Sequence, residues 1–183
     1  MNGKIKGGNY ERHLSKILSL WWTNGERDDV LWLTSNSGGR ATFRNNRGKK
    51  TTTHCGDICA IDPIAEPLIR FAVIEAKKGY NKSTLHDLLD KPRNAKLQIY
   101  EEWFEQAERA RVSKGSRYWM LIHCRDRRED LIFFPALLAA NLILPSFANQ
   151  VILNWNWTKI IGCRLNDFLQ ETEPSDFQIL IKD

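Results

Sequence analysis

Apolar side chains recur at helical spacing in two stretches of the chain and at strand spacing in several others. Tyr10, Leu14, Ile17, Leu18 and Trp21 fall on one stripe of a helix, with Asn9 as its N-cap. At about 100° per residue, Glu11 sits beside Leu18 on the border of that stripe. Its carboxylate therefore runs along the edge of the core, although an acid in a first helical turn is favourable on dipole grounds alone. A second helix is predicted over residues 95–112, where Leu97, Tyr100, Trp103, Phe104 and Ala107 make the apolar face. Strands are predicted over residues 30–35, 57–61, 68–77, 118–124, 130–134 and 151–161, the last with Trp155 and Trp157 alternating with asparagines. Pro135 opens a short apolar helix, and residues 164–170 form another. Helices and strands in this order predict an α/β or α+β layered architecture, with no internal repeat and no linker that divides it.

Two strands carry the acidic chemistry. Asp62, Pro63 and Pro67 mark a connection between residues 57–61 and 68–77. If that connection is a hairpin centred near Glu66, Asp57 stands opposite Glu75, with Cβ atoms roughly 5 Å apart. Lys77, two residues beyond Glu75, shares the same face. Spacing thus gathers Asp57, Glu75 and Lys77 around one point. Joint ionisation of two neighbouring carboxylates is unfavourable without a cation, and hard oxygen ligands suit Mg²⁺, which takes one or two carboxylates and keeps several waters. A cross-strand salt bridge between Lys77 and Asp57 is the plainer use of the same residues.

At 183 residues the chain fits one domain with a sizeable core. The net charge of +5 is concentrated: Arg40, Arg44, Arg47, Lys49 and Lys50 lie among Gly, Ser, Asn and Thr with no acid between them. Such an arm neutralises phosphates and releases counterions, pointing to nucleic acid rather than a plain solvated loop. A zinc site drawn from His54, Cys55, Cys59, His123 and Cys124 lacks ligand spacing, so the cysteines read as reduced thiols. The Gly- and Lys-rich N-terminus has no signal-type apolar core. The longest apolar run, residues 132–144, is broken by Pro135 and Asn141. A cytoplasmic protein is expected, neither secreted nor membrane-bound.

The motifs Lys6-Gly7-Gly8-Asn9-Tyr10-Glu11-Arg12, Ser35-Asn36-Ser37-Gly38-Gly39-Arg40, Gly56-Asp57-Ile58 and Val73-Ile74-Glu75-Ala76-Lys77 occur in that order. Together they resemble the PD-(D/E)xK nuclease superfamily, and within it the archaeal-type and phage Holliday junction resolvases. The likeness covers roughly residues 4–124, with Gly-Asp where the family has Pro-Asp and a longer loop between Ser37 and Asp57. The resemblance implies a restriction-endonuclease-like core over residues 4–134, a central mixed sheet flanked by helices, and a C-terminal extension over residues 135–183. It implies Glu11, Asp57, Glu75 and the Ala76 carbonyl as ligands of Mg²⁺, with Mn²⁺ substituting. Lys77 would orient the nucleophile, and Ser37, or Ser35 in its place, would hold a phosphate oxygen; Gln98 is the candidate for a glutamine that follows on a helix. Arg40, Arg44, Arg47, Lys49, Lys50 and Lys78 would position the DNA backbone. The expected partner is a four-way junction, and a C2 homodimer would supply paired cuts, using Leu20, Trp21, Trp22 and Trp32 or Trp155 and Trp157 where these are not core. A restriction-type or flap- and mismatch-directed endonuclease on the same fold remains open, as does a silent DNA-binding protein, because fold does not fix substrate.

Overall fold

The computed structural model describes residues 3–34, 56–90, 97–142, 144, 147 and 149–181. Helix α1 (Gly3–Trp22) buries Tyr10, Leu14 and Leu18 of the expected stripe, with Trp22 in place of Trp21, which like Ile17 is only partly buried. It begins well before Asn9, which is therefore a helix-interior residue accepting from Arg12 Nη1 (3.0 Å) rather than the N-cap. The helix stops where Asn24 (φ 52°) and Gly25 (φ 88°) turn left-handed. Gly25 N–H donates to Leu20 O and Asn24 N–H to Trp21 O, the paired bonds that close a helix C-terminus.

Strands β1 (Leu31–Leu33) and β2 (Ile58–Ala60) pair antiparallel as a small separate ribbon. The expected hairpin between residues 57–61 and 68–77 does not form. Pro63–Ala65 is a 3-10 turn capped by Asp62, and α2 (Glu66–Phe71) follows directly, each with Pro in its first turn, where the missing N–H costs nothing. Leu68, Ile69 and Phe71, read as strand, are the buried face of this short helix.

The main sheet runs β3-β4-β5-β7-β6. Strand β3 (Ala72–Lys78) is at one edge, parallel to β4 (Tyr118–Cys124); the pairings to β5 (Leu131–Pro135), β7 (Thr158–Arg164) and β6 (Val151–Trp155) are antiparallel. The run over residues 151–161 is thus two strands, turned by Asn156 (φ 42°) and Trp157 (φ 66°). Two consecutive left-handed residues match the twist of a tight hairpin; the absence of glycine hides this turn in the sequence.

Helices cover both faces, so β4 is buried at every position and β3 is apolar over residues 72–74 and at Ala76. Ala72, Ile74, Ala76, Met120 and Ile122 face α1 and α2, whereas Val73, Trp119 and Leu121 face α3 (Ile99–Lys114). On α3 the predicted Tyr100, Trp103, Phe104 and Ala107 are buried, but Leu97 precedes the helix and is exposed. After α4 (Ala136–Leu142), α5 (Leu165–Gln170) and α6 (Pro174–Ile181) return to the α1 side. There Phe177 is wholly buried, packed edge-on to Trp21 and Phe71. The C-terminal segment therefore completes the core that α1 begins. Among the described residues no helix is long and apolar enough to cross a membrane.

Candidate active site

The site candidates meet at the free edge of β3. Gly56 takes φ +91°, and a Cβ there would lie 2.8 Å from Ile74 O and 2.9 Å from Val73 Cγ1. Only glycine lets the chain approach this closely. Asp57 N–H then donates to Ile74 O (2.9 Å), and Asp57 Oδ2 accepts from Ala76 N–H (2.9 Å). Asp57 is thus docked on Ile74–Ala76 from outside the sheet, not placed opposite Glu75 in a ladder. Proline, with φ held near −65°, fits no such backbone, which accounts for Gly-Asp in place of Pro-Asp. Because N–H and C=O of one strand residue leave by the same edge, the Ala76 carbonyl also faces the Asp57 side.

Glu75 and Lys77 alternate onto the α3 face of β3. Lys77 Nζ donates to Glu75 Oε2 (3.2 Å) and lies 3.9 Å from Asp57 Oδ2. Glu75 is only 3% exposed, and burial first, then the Asp57 charge, push its pKa up to about 7 against the opposing pull of Lys77. Glu11, on α1, senses the same centre: burial and Asp57 raise its pKa, while Lys77 and Arg12 oppose. Three carboxylates thus share one nearby lysine, and the negative charge is under-compensated.

A residue that the sequence pattern did not single out completes the cluster. Gln106 on α3 donates from Nε2 to Glu75 Oε2 (2.7 Å). Gln98 instead is the N-cap of α3, forming a reciprocal capping pair with Glu101. The available signal was a polar residue three positions beyond Trp103 and next to Ala107, on the border of the apolar stripe. Lys78 faces away from Lys77, donating to Cys124 Sγ (2.8 Å) with its ammonium over the Tyr10 ring. Ser35, Ser37, Arg40, Arg44, Arg47, Lys49 and Lys50, with His54 and Cys55, lie outside the described residues. Of the proposed interface residues, Trp22 is core and Trp21 packs against it; Leu20, Trp32 and Trp157 are exposed.

The donor set suits a hard divalent cation. Asp57 and Glu75 offer carboxylate oxygens whose mutual repulsion a cation would relieve, and Mg²⁺ needs no more than one or two such ligands beside water. Among the described residues no three His, Cys, Asp or Glu groups converge tightly enough to hold a metal ion together. Cys59, Cys124 and Cys163 are free thiols.

No curated protein and no solved structure matches the chain significantly. Residues 2–178 match a family of nucleases, and the chain accordingly belongs to the family described as "Phage putative PDDEXK endonuclease".

Proposed function

We propose that this endonuclease hydrolyses DNA phosphodiesters at the free edge of β3, with Asp57, Glu75 and Lys77 as its catalytic centre and Glu11 contributing from α1. The observation that carries the reading is the buried, under-compensated carboxylate pair with Lys77 within 3.2 Å of Glu75 and 3.9 Å of Asp57. Asp57, Glu75 and the Ala76 carbonyl would hold Mg²⁺, with Mn²⁺ as a substitute and Glu11 acting on the same cation. When bound, such a cation lowers the pKa of a water and polarises the scissile phosphate.

The protein's own groups do the rest. Lys77 places its ammonium where negative charge develops on the phosphorane and orients the attacking water. Gln106 donates to Glu75 Oε2, the oxygen that Lys77 also holds, and so fixes the orientation of the carboxylate. Apolar neighbours on β3 and α3 keep the site in a low dielectric, which strengthens each of these interactions. Ser37 or Ser35 would hydrogen-bond a phosphate oxygen, and the basic segment over residues 40–50 would hold the backbone.

The substrate favoured is branched DNA, a four-way junction, cut by a C2 homodimer. The support is the order of the sequence motifs, which resembles that of junction resolvases, and a sequence in which no base-reading motif is recognised. The test is cleavage of a synthetic junction beside linear duplex, flap and single strand, in Mg²⁺ and in EDTA. Paired nicks confined to the junction are expected; equal cutting of linear duplex would discard the junction. Metal-dependent cutting by Asp57→Asn at the wild-type rate would discard the site.

A further inference from the structure

Two hollows adjoin at the end of the sheet where β3 finishes, next to the catalytic edge but outside it. One, of about 310 Å³, is lined by Tyr10 and His13 from α1, by Lys78, and by Arg128 of the β4–β5 turn. The other, of about 190 Å³, is lined by Arg125, Arg128 and Arg164 above His123 and Leu131. Both share Arg128 and Glu129, so they form one path around the β4–β5 turn. Asp130 also lines the first. Cations outnumber acids, and among the described residues none of the three arginines is held in an ion pair.

A second observation points to an anionic ligand. Tyr10 is 6% exposed, yet its hydroxyl makes no hydrogen bond of good geometry among the described residues. Asp130 acts on it through its charge and a side-chain contact, and burial together with that carboxylate keeps the phenol protonated. Lys78 is similarly under-used: the Cys124 sulfur to which it donates at 2.8 Å is a weak acceptor, and an ammonium has three protons to donate.

We propose that these hollows form a phosphodiester track, which takes the backbone of a DNA strand as it leaves the catalytic edge. Lys78, His13 and the Tyr10 hydroxyl hold the nearer phosphate; Arg125, Arg128 and Arg164 hold a farther one. The sheet sets the span. Lys77, His123, Leu131 and Arg164 are successive partners across four strands, so Lys77 and Arg164 are three strand spacings apart, roughly 14 Å. That distance is about four nucleotides of rise along one strand, at about 3.4 Å each. Arginine suits the far hollow because its fork engages two phosphate oxygens together. The track reads no bases, as required of a protein that recognises the shape of its DNA.

The inference rests on DNA being the substrate, so its test separates binding from cutting. Affinity for labelled single-stranded and duplex DNA is measured in EDTA over roughly 50 to 200 mM salt. The Arg125→Ala/Arg128→Ala/Arg164→Ala variant is expected to bind about ten-fold more weakly, with a duplex salt slope lower by about 0.9 for each phosphate no longer neutralised. Lys159→Ala, on the same strand as Arg164 but at its other end, should bind like wild type. Tyr10→Phe, which removes only this hydroxyl, should weaken binding without lowering the melting temperature. Arg164 is exposed, so Arg164→Glu alone tests the far hollow if the triple variant unfolds. Unchanged affinity and salt slope in folded arginine variants would overturn the track even if wild type cuts DNA. Weakened binding alongside a wild type that cuts nothing would keep the track and overturn the catalytic reading.

Discussion

Glu75→Gln isolates the energetic consequence of the buried carboxylate. The wild-type group titrates near 7 in the folded protein against an ordinary value of 4.5. Between those values the native state holds a proton that the unfolded chain has released, so stability falls as pH rises. At about 1.4 kcal/mol per pH unit, the loss attached to this carboxylate is on the order of 3 kcal/mol. It is absent below about pH 4.5 and complete somewhat above pH 7. Glutamine keeps the shape and can accept from Gln106 Nε2 through its amide oxygen, but carries no charge. Urea unfolding of both proteins from about pH 4.5 to 8.5, at intervals of about half a unit, gives the contribution of Glu75 together with its coupling to Asp57. The variant should match wild type at the acid end and exceed it by a few kcal/mol at about pH 8, while losing cleavage. Millimolar Mg²⁺ at that pH should close most of the gap by stabilising wild type alone, through binding to the native state. A difference that stays flat with pH, or a variant less stable than wild type at the alkaline end, would refute the reasoning.

Gly56→Ala should cost at least about 2 kcal/mol in urea unfolding, from the left-handed backbone and a Cβ pressed 2.8 Å from Ile74 O, and should abolish cleavage by displacing Asp57. Gln106→Ala removes a donor from the charged form of Glu75, so its pKa rises further and the acidic limb of the pH–rate profile should move to higher pH; an unmoved limb would leave Gln106 a merely structural role. Gly162→Ala places a methyl 2.5 Å from the Phe133 ring on the neighbouring strand, and thermal unfolding should show about 1–3 kcal/mol of destabilisation.

How much of this was legible in the sequence varied with the range of the interaction that decides it. The α1 stripe, the α3 stripe and the β4 run depend on local periodicity, and Tyr10, Leu14, Leu18, Tyr100, Trp103, Phe104 and Ala107 are buried as it placed them, though both helices begin elsewhere than read. Glu75 and Lys77 share a face because they are two apart on a strand, a relation that needs no tertiary knowledge. How Asp57 approaches them is not local. Two prolines in Pro63-Ile64-Ala65-Glu66-Pro67 read equally as a turn or as the first turns of two short helices, and Leu68 to Phe71 is too brief a run for its period to show. The tight turn at Asn156-Trp157 carried no glycine to announce it. Gln106 required knowing that α3 lies over β3 rather than over another strand, which only the fold supplies.

The edge position of the site ties activity to folding through one residue. An edge strand exposes unpaired N–H and C=O groups, and on β3 Asp57 satisfies two of them, accepting from Ala76 N–H through its side chain and donating to Ile74 O through its backbone. The carboxylate that would hold a cation is therefore also the plug that closes the sheet. Asp57→Ala removes both roles, leaves the Ala76 N–H without its partner, and makes any loss of cleavage ambiguous with local opening of the edge. Asp57→Asn retains an oxygen acceptor for Ala76 while discarding the charge. It also removes the repulsion on Glu75, whose pKa should then fall toward the ordinary range. A variant that is as stable as wild type or more so, with Glu75 titrating lower and cleavage lost, would assign the loss to the missing charge rather than to a broken fold.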